Sequence, residues 1–336
     1  MSRHRIFEAG RENQLAFKLN LTSSLMRTLS LLGISLLIRV AAANQCTFHD
    51  AEMCLAGRGV LIIGTSVSRH WHFALQEVLS RDYGKAKASD FFVETLAAKT
   101  KDTWFSGYRE SEKAVCGGGV KSWKEIKFFN AMCSNLNAAT KTLLMFQWAS
   151  PFQGLKLTEG AIDHLFRAMS KYGLRPKKSA VVLNAGLELA VNHHGEFPPE
   201  ETVHRHMPGI INVTDKVLLA GGDVCWRLST QLCCQDKENG NQPFHPTSAE
   251  IQKSCTNKGI TNMAEAENVL KVVNDKVVQA IDSDAKQRKM KILDAWSMTP
   301  DEKCDHYEDW VHHPLLAYEQ IEAWMTGVLG CQCGGE

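Results

Sequence analysis

A serine shortly after an apolar segment is the first residue that could do chemistry. Residues 60–63 are uninterrupted Val-Leu-Ile-Ile, and Gly64-Thr65-Ser66 comes next. In α/β proteins, ligands bind at the point where a buried strand ends and a helix begins, and helix amides there stabilise developing negative charge. Ser66 is therefore a candidate nucleophile for acyl transfer. The alternative is a serine that only shapes the turn or caps the helix.

A carboxylate and an imidazole near the other end of the chain would complete such a nucleophile. Asp309 and His312 are three residues apart. At this spacing the carboxylate can fix the imidazole tautomer, and the imidazole can take the serine proton as a general base. His313 and the pair Asp305-His306 leave open which residues act. The alternative is a loop histidine beside a surface aspartate.

An asparagine follows a second apolar segment. Asn184 comes directly after residues 179–183 and precedes Ala185-Gly186. A side-chain amide at this edge of a sheet can donate to an oxyanion, and losing one such donor typically costs about 2.7 to 4 kcal/mol of transition-state stabilisation. The alternative is an asparagine that only forms a tight turn.

Short apolar segments alternate with helical patterns from residue 58 onward, and this order predicts the elements that position these side chains. We expect strands at 60–63, 142–146, 179–183, 224–228 and 290–293, and helices at 68–80, 159–172, within 200–220, 263–281 and 315–328. Continuous apolar strands separated by helices are typical of a parallel sheet covered on both faces. The prediction is one α/β domain over 46–336. Residues 233–261 and much of 84–140 are expected to be surface insertions, the latter with a strand near 91–93.

Residues 1–45 are predicted to be an N-terminal extension with a targeting segment. Met26-Arg27 precedes an apolar run at 29–38, and Ala41-Ala42-Ala43-Asn44 follows it. This is the order of a secretory signal peptide, and the run is shorter than the roughly 20 apolar residues that span a bilayer. The alternative is an uncleaved signal anchor that holds the domain at a membrane. Either way we expect a protein of the secretory pathway, secreted or in the lumen of the Golgi or the endoplasmic reticulum.

The net charge limits the possible partners, and the cysteine content fits a protein of the secretory pathway. A formal net charge of +1 argues against nucleic acid as a partner, because phosphate binding needs clustered Lys and Arg. All 11 cysteines follow residue 45, so disulfides are expected, and bridges between the clusters Cys46/Cys54 and Cys331/Cys333 would hold the two ends of the domain together. No pair of CxxC motifs supports a zinc site, and none is expected. The segment Asn212-Val213-Thr214 is a potential N-glycosylation site.

The order of these motifs resembles the SGNH/GDSL hydrolases, and within them the PC-esterase branch, which includes trichome-birefringence-like polysaccharide O-acetyltransferases and the luminal domain of sialate O-acetyltransferases. Gly64-Thr65-Ser66-Val67-Ser68-Arg69 is similar to the family's Gly-Asp-Ser-x-x-Arg, and Asn184-Ala185-Gly186 to its Asn-x-Gly. The run at 293–299 and the terminal Asp309 to His312 follow in the same order. The resemblance extends from about residue 57 to 328 and implies a three-layer, flavodoxin-like sandwich.

The resemblance also implies roles for individual residues. Ser66 would be the nucleophile, His312 the base and then the acid, and Asp309 its orienting partner. The Ser66 amide and Asn184 would form the oxyanion hole, with Arg69 on the substrate side. A glycine from the loop Cys116-Gly117-Gly118-Gly119 would contribute a further amide.

The implied activity is an O-acyl esterase or acetyltransferase that acts on an O-acetylated carbohydrate without a metal or an organic cofactor. Trp71, Trp104, Trp123 and Trp148 are candidate platforms for a sugar ring or, alternatively, core residues. Thr65 departs from the family, which has Asp at this position. This departure favours the second hypothesis, a catalytically silent secreted glycan-binding module that keeps the fold.

Overall fold

The structure is a computed structural model that describes residues 46–80, 132–137, 139–192, 197–232, 263–299 and 314–333. Its strands are β1 Gly59–Gly64, β2 Met132–Asn137, β3 Thr142–Trp148, β4 Ser179–Leu183, β5 Asp223–Arg227 and β6 Lys291–Leu293. The α-helices within these ranges are α1 Phe48–Leu55, α2 Ser66–Ser80, α3 Leu155–Lys171, α4 Leu187–Asn192, α5 Pro199–Leu219, α6 Met263–Asp282 and α7 Pro314–Ala323. A π-helical turn, Trp324–Val328, continues α7.

The strands form one sheet in the order β2-β3-β1-β4-β5-β6. β1 lies between β3 and β4 and is parallel to both, and β5 and β6 extend the sheet in parallel beyond β4. β2 alone pairs antiparallel, at the edge beside β3. The predicted α/β fold with a central parallel sheet is therefore confirmed.

Helices cover both faces of this sheet because successive strand side chains point to opposite sides. In β1, Val60 and Ile62 pack with the helices α1, α2 and α7, whereas Leu61 and Ile63 pack with α3, α5 and α6. All six residues of β1 are buried. The continuous apolar strands noted in the sequence are thus strands with two buried faces.

The predicted elements lie close to the observed ones, with a few differences. α2 begins at Ser66, two residues before the predicted start, and α3 begins at Leu155, four residues before it. The last helix ends as α-helix at Ala323 and continues as the π turn. α1, α4 and β2 were not predicted. The strand expected near 91–93 lies outside the described residues.

Two disulfides join the two ends of the described chain. Cys46 is bonded to Cys333 and Cys54 to Cys331, with Cα–Cα distances of 4.5 and 5.7 Å. The structure thus pairs the two cysteine clusters as the sequence suggested. Cys225 is a free thiol in the core, where burial raises its pKa to about 12.

The N-terminal targeting segment lies outside the described residues. In the part of the chain that the structure describes, no helix has the length and apolar character needed to cross a membrane.

Candidate active site

The ends of β1 and β4 meet at a switch point of the sheet. From β1 the chain continues into α2, which packs on one face, and from β4 it continues through α4 to α5, which packs on the other. Adjacent parallel strands whose connections leave to opposite faces open a crevice at their carboxyl ends, and this crevice is where open α/β sheets bind ligands. Ser66 and Asn184 follow these two strands, so two of the predicted site residues come from the two sides of this crevice.

Ser66 is the first residue of α2 and is half-buried. The Thr65 carbonyl accepts the N–H of Arg69 at 3.0 Å, so the first helical turn starts at Thr65. The first N–H groups of a helix have no acceptor within it and carry partial positive charge. The Ser66 hydroxyl therefore stands beside amides that can stabilise an oxyanion.

Asn184 holds three turns of the carboxyl edge together. Its backbone N–H donates to the Ile63 carbonyl at 3.0 Å, its Oδ1 accepts from Ser68 Oγ at 3.4 Å, and its Nδ2 donates to the Arg227 carbonyl at 2.9 Å. The residue is buried, with 5% of its surface exposed. A carboxamide carries two N–H bonds, so one of them is left for the oxyanion role that the sequence predicts.

Gly64 lets these turns come together. A Cβ at this position would overlap the Ser68 hydroxyl, lie 2.6 Å from Ser68 Cβ and lie 3.1 Å from the Asn184 carbonyl oxygen. The glycine is therefore required by the close approach of the β1–α2 turn to the residue after β4.

Arg69 lies in the interior, with only 2% of its surface exposed. Its guanidinium carbon lies 5.3 Å from the ring centroid of Trp148, the last residue of β3. The predicted contact of Arg69 with substrate stays a prediction. Trp71 is a core residue, fully buried and packed edge-on against Trp324 with ring centroids 5.3 Å apart. Its suggested role as a sugar platform does not fit this burial.

Glu188 is a half-buried acid at the same edge that the sequence reasoning missed. It lies in the first turn of α4; one carboxylate oxygen accepts a hydrogen bond from Ser150 Oγ, and the other accepts the Gly186 N–H at 3.1 Å. Burial raises the pKa of this carboxyl, although these hydrogen bonds oppose the shift. Glu188 therefore links the turn after β3 to the turn that carries Asn184. The available signal was a single acid among the apolar residues 187–190.

His72 is excluded as a catalytic base. It is fully buried in α2 and packs against Phe146, with ring centroids 5.6 Å apart. Burial lowers its pKa to about 3, so the imidazole is neutral at physiological pH.

Several predicted site residues cannot be placed. Asp309 and His312, the alternatives Asp305, His306 and His313, and the loop 116–119 lie outside the described residues. The structure therefore brings Ser66 and Asn184 to one edge, and the complete triad stays a prediction. Within the described ranges, no three His, Cys, Asp or Glu side chains are grouped as metal ligands would be.

A groove of about 990 Å³ lies elsewhere, between α5 and α6. Its lining includes Glu200, His204, Lys276 and Lys286 but none of the residues at the carboxyl edge. It is not part of the candidate site.

The comparisons with known proteins show only a distant likeness to solved structures. No family model matches this sequence, and no curated protein matches it. Among solved structures, the chain is similar to a GDSL-like lipase from Bacteroides thetaiotaomicron, with a TM-score of 0.38 and 10% identity over 81% of this chain and 87% of that one. The resemblance to the PC-esterase branch stays a prediction from the sequence motifs.

Proposed function

We propose that this protein is a serine-dependent O-acyl esterase or acyltransferase with Ser66 as its nucleophile. The observation that carries the proposal is the position of Ser66, which is the first residue of α2 at the switch point between β1 and β4. This half-buried residue lies at the start of a helix, and the Asn184 carboxamide contacts the same helical turn through Ser68 Oγ. These groups are suited to stabilising a tetrahedral oxyanion.

The reaction follows from these groups in two steps. Ser66 Oγ attacks the ester carbonyl and gives its proton to His312, and the oxyanion accepts hydrogen bonds from the first-turn amides of α2 and from Asn184. His312 then protonates the leaving alcohol, and the acyl group remains on Ser66. Water or a sugar hydroxyl attacks this acyl-serine, again through His312, and restores the serine. Asp309 keeps the imidazole in the tautomer that both steps need.

The course of α7 supports the part assigned to His312. Gln320 of α7 contacts Arg227, the last residue of β5, and the Val328 carbonyl at the far end accepts from Lys291, the first residue of β6. The helix therefore runs from the carboxyl edge of the sheet towards the amino edge. Pro314 begins α7. His312 comes two residues before Pro314 in the sequence.

The proposed substrate is an O-acetylated carbohydrate in the secretory pathway, without a metal or organic cofactor. This part rests on the motifs of the sequence and on its N-terminal segment. One structural feature is compatible with a glycoprotein, since the side chain of Asn212 in the Asn212-Val213-Thr214 site is exposed on α5.

The test is turnover of p-nitrophenyl acetate by the purified chain, with intact-mass analysis for an acetyl adduct. We expect turnover in the wild type and its loss in Ser66→Ala. Ser283→Ala is the matched control, because Ser283 is an exposed serine that follows α6 and lies outside the carboxyl edge. Unchanged turnover in Ser66→Ala would contradict the proposal.

Thr65 supports the second candidate, a catalytically silent glycan-binding module. The family's Asp at this position is replaced by a residue without charge. If the folded wild type forms no acetyl adduct and has no turnover, while it binds acetylated glycan on an array, the module is the better description.

A further inference from the structure

Arg227 and Gln320 are two buried polar side chains whose mutual hydrogen bond leaves some of their donors unused. Arg227 ends β5 and is 2% exposed, and Gln320 in α7 is 0% exposed. Arg227 Nη1 donates to Gln320 Oε1 at 3.0 Å. Arg227 Nη2 and Gln320 Nε2 are both buried, and no hydrogen-bond acceptor for either lies among the described residues.

The missing partner is a negative one. None of the ion pairs between described residues includes Arg227. Burial lowers the pKa of its guanidinium only to about 10, so the group is charged at neutral pH. Buried charges in folded proteins are normally paired, because an isolated one loses its hydration without compensation.

The chemistry of the two free donors defines the ligand. Arginine has only donors, and the free atom of Gln320 is an amide nitrogen, so the complement is a group with acceptors only. A carboxylate or a comparable small oxyanion fits, since a guanidinium binds such groups through parallel N–H···O bonds.

We propose that Arg227 and Gln320 form a binding site for a small oxyanion, of the carboxylate type, at the carboxyl edge of the sheet. The site is next to the candidate active site, because the Arg227 carbonyl accepts Asn184 Nδ2 at 2.9 Å. It goes beyond the proposed function, since binding of the anion does not require Ser66 to react. An anionic group on a bound molecule would be held one strand away from Asn184.

The decisive variant is Gln320→Glu, which places a carboxylate of the chain beside the guanidinium. The probes are sodium acetate and sodium sulfate, each compared with sodium chloride at equal ionic strength, and the readout is the unfolding temperature of the full chain. With the anion at about ten times its dissociation constant, we expect a rise of about 3 °C in the wild type. In Gln320→Glu the specific rise should disappear, because the substitution removes the amide donor and the new carboxylate neutralises the guanidinium.

Two controls separate this result from other effects. Sulfate stabilises many proteins through exclusion from their surface, so the measured quantity is the difference in shift between variants. Gln279→Glu makes the same substitution at an exposed position of α6 and should keep the wild-type rise. Ser66→Ala should also keep it, whether or not the chain is an esterase, so a failure here is distinct from a failure of the proposed function.

An equal rise in the wild type and Gln320→Glu, or no rise in the wild type, would overturn the proposal. If Gln320→Glu does not fold, calorimetric titration of the wild type with acetate decides the matter. Saturable binding of one anion per chain supports the site, and the absence of saturable binding refutes it.

Discussion

At the scale of single residues, Glu188 has no role in the proposed reaction, but its hydrogen bonds hold two turns of the candidate site together. Its carboxyl accepts from Ser150 after β3 and from the Gly186 amide beside Asn184. Leaving buried donors without a partner costs about 1 to 3 kcal/mol. We therefore expect Glu188→Ala to lower the free energy of unfolding by about this amount, measured by urea denaturation. Glu159→Ala, at an exposed position of α3, should have a much smaller effect.

Glu188→Gln gives a prediction about pH. Burial raises the pKa of Glu188 in the folded chain above its usual 4.5. Between the usual pKa and the raised one, the carboxyl is ionised in the unfolded chain but still protonated in the folded chain. A rise in pH through this range therefore favours unfolding. The stability contributed by the protonated carboxyl is thus lost as the pH rises through its folded pKa. Glutamine has no such proton, so the stability of Glu188→Gln relative to the wild type should increase with pH. Urea denaturation at a series of pH values measures this, and a relative stability that falls with pH would contradict it.

Two residues of the candidate site could be predicted from the sequence, and the buried polar side chains around it could not. Ser66 and Asn184 were predictable because each follows an apolar strand, and a parallel sheet brings such ends to one edge. Glu188 and Gln320 were not, because an acid or an amide in a helix usually faces solvent, and Arg227 was not, because a charged side chain is seldom fully buried. The packing of the helices removes them from solvent, Arg227 and Gln320 fully and Glu188 in part.

At the scale of elements, the junction of β1 with α2 depends on the absence of a side chain at Gly64. In Gly64→Ala the new methyl group would meet Ser68 and the Asn184 backbone, so the turn must shift. Overpacking of this kind typically costs about 1 to 3 kcal/mol, and we expect Gly64→Ala to lose that much unfolding free energy.

Gly160→Ala is the matched control for this substitution. Gly160 is exposed within α3, and a Cβ there would meet nothing within 4 Å. Alanine is the better helix former, so this variant should gain up to about 1 kcal/mol. Thermal unfolding of the two variants compares them directly, and equal effects would show that the close approach at Gly64 is unimportant.

The strands that are buried on both faces were predictable from the sequence. β1 and β4 have two buried faces, so their sequences are continuously apolar and mark a parallel sheet. β2 was missed because Ser134, Asn135 and Asn137 are residue types that strands disfavour, and it pairs only at the sheet edge. α1 was missed because it has only eight residues. Its start is fixed by the capping box of Thr47 and Asp50.

At the scale of the whole molecule, the two disulfides close the chain over sequence separations of 287 and 277 residues. A bridge that closes so long a loop restricts the unfolded chain and typically adds about 2 to 5 kcal/mol. Both bridges join the same two short segments, so the second restricts the unfolded chain little once the first is closed. Replacing one pair with alanine should therefore cost much less than half of what replacing both pairs costs.

Urea denaturation of three variants measures this coupling: Cys46→Ala/Cys333→Ala, Cys54→Ala/Cys331→Ala, and all four together. Peptide mapping without reduction verifies the pairing in the wild type. Losses that simply add would mean that each bridge acts on its own.

The central claim for the whole molecule is that the fold presents Ser66 as an activated nucleophile. Labelling with a fluorophosphonate, followed by intact-mass and peptide analysis, tests it most directly. We predict one adduct per chain, located on Ser66, absent in Ser66→Ala and retained in Ser283→Ala. A folded wild type that stays unlabelled, or an adduct on another residue that persists in Ser66→Ala, would contradict the account.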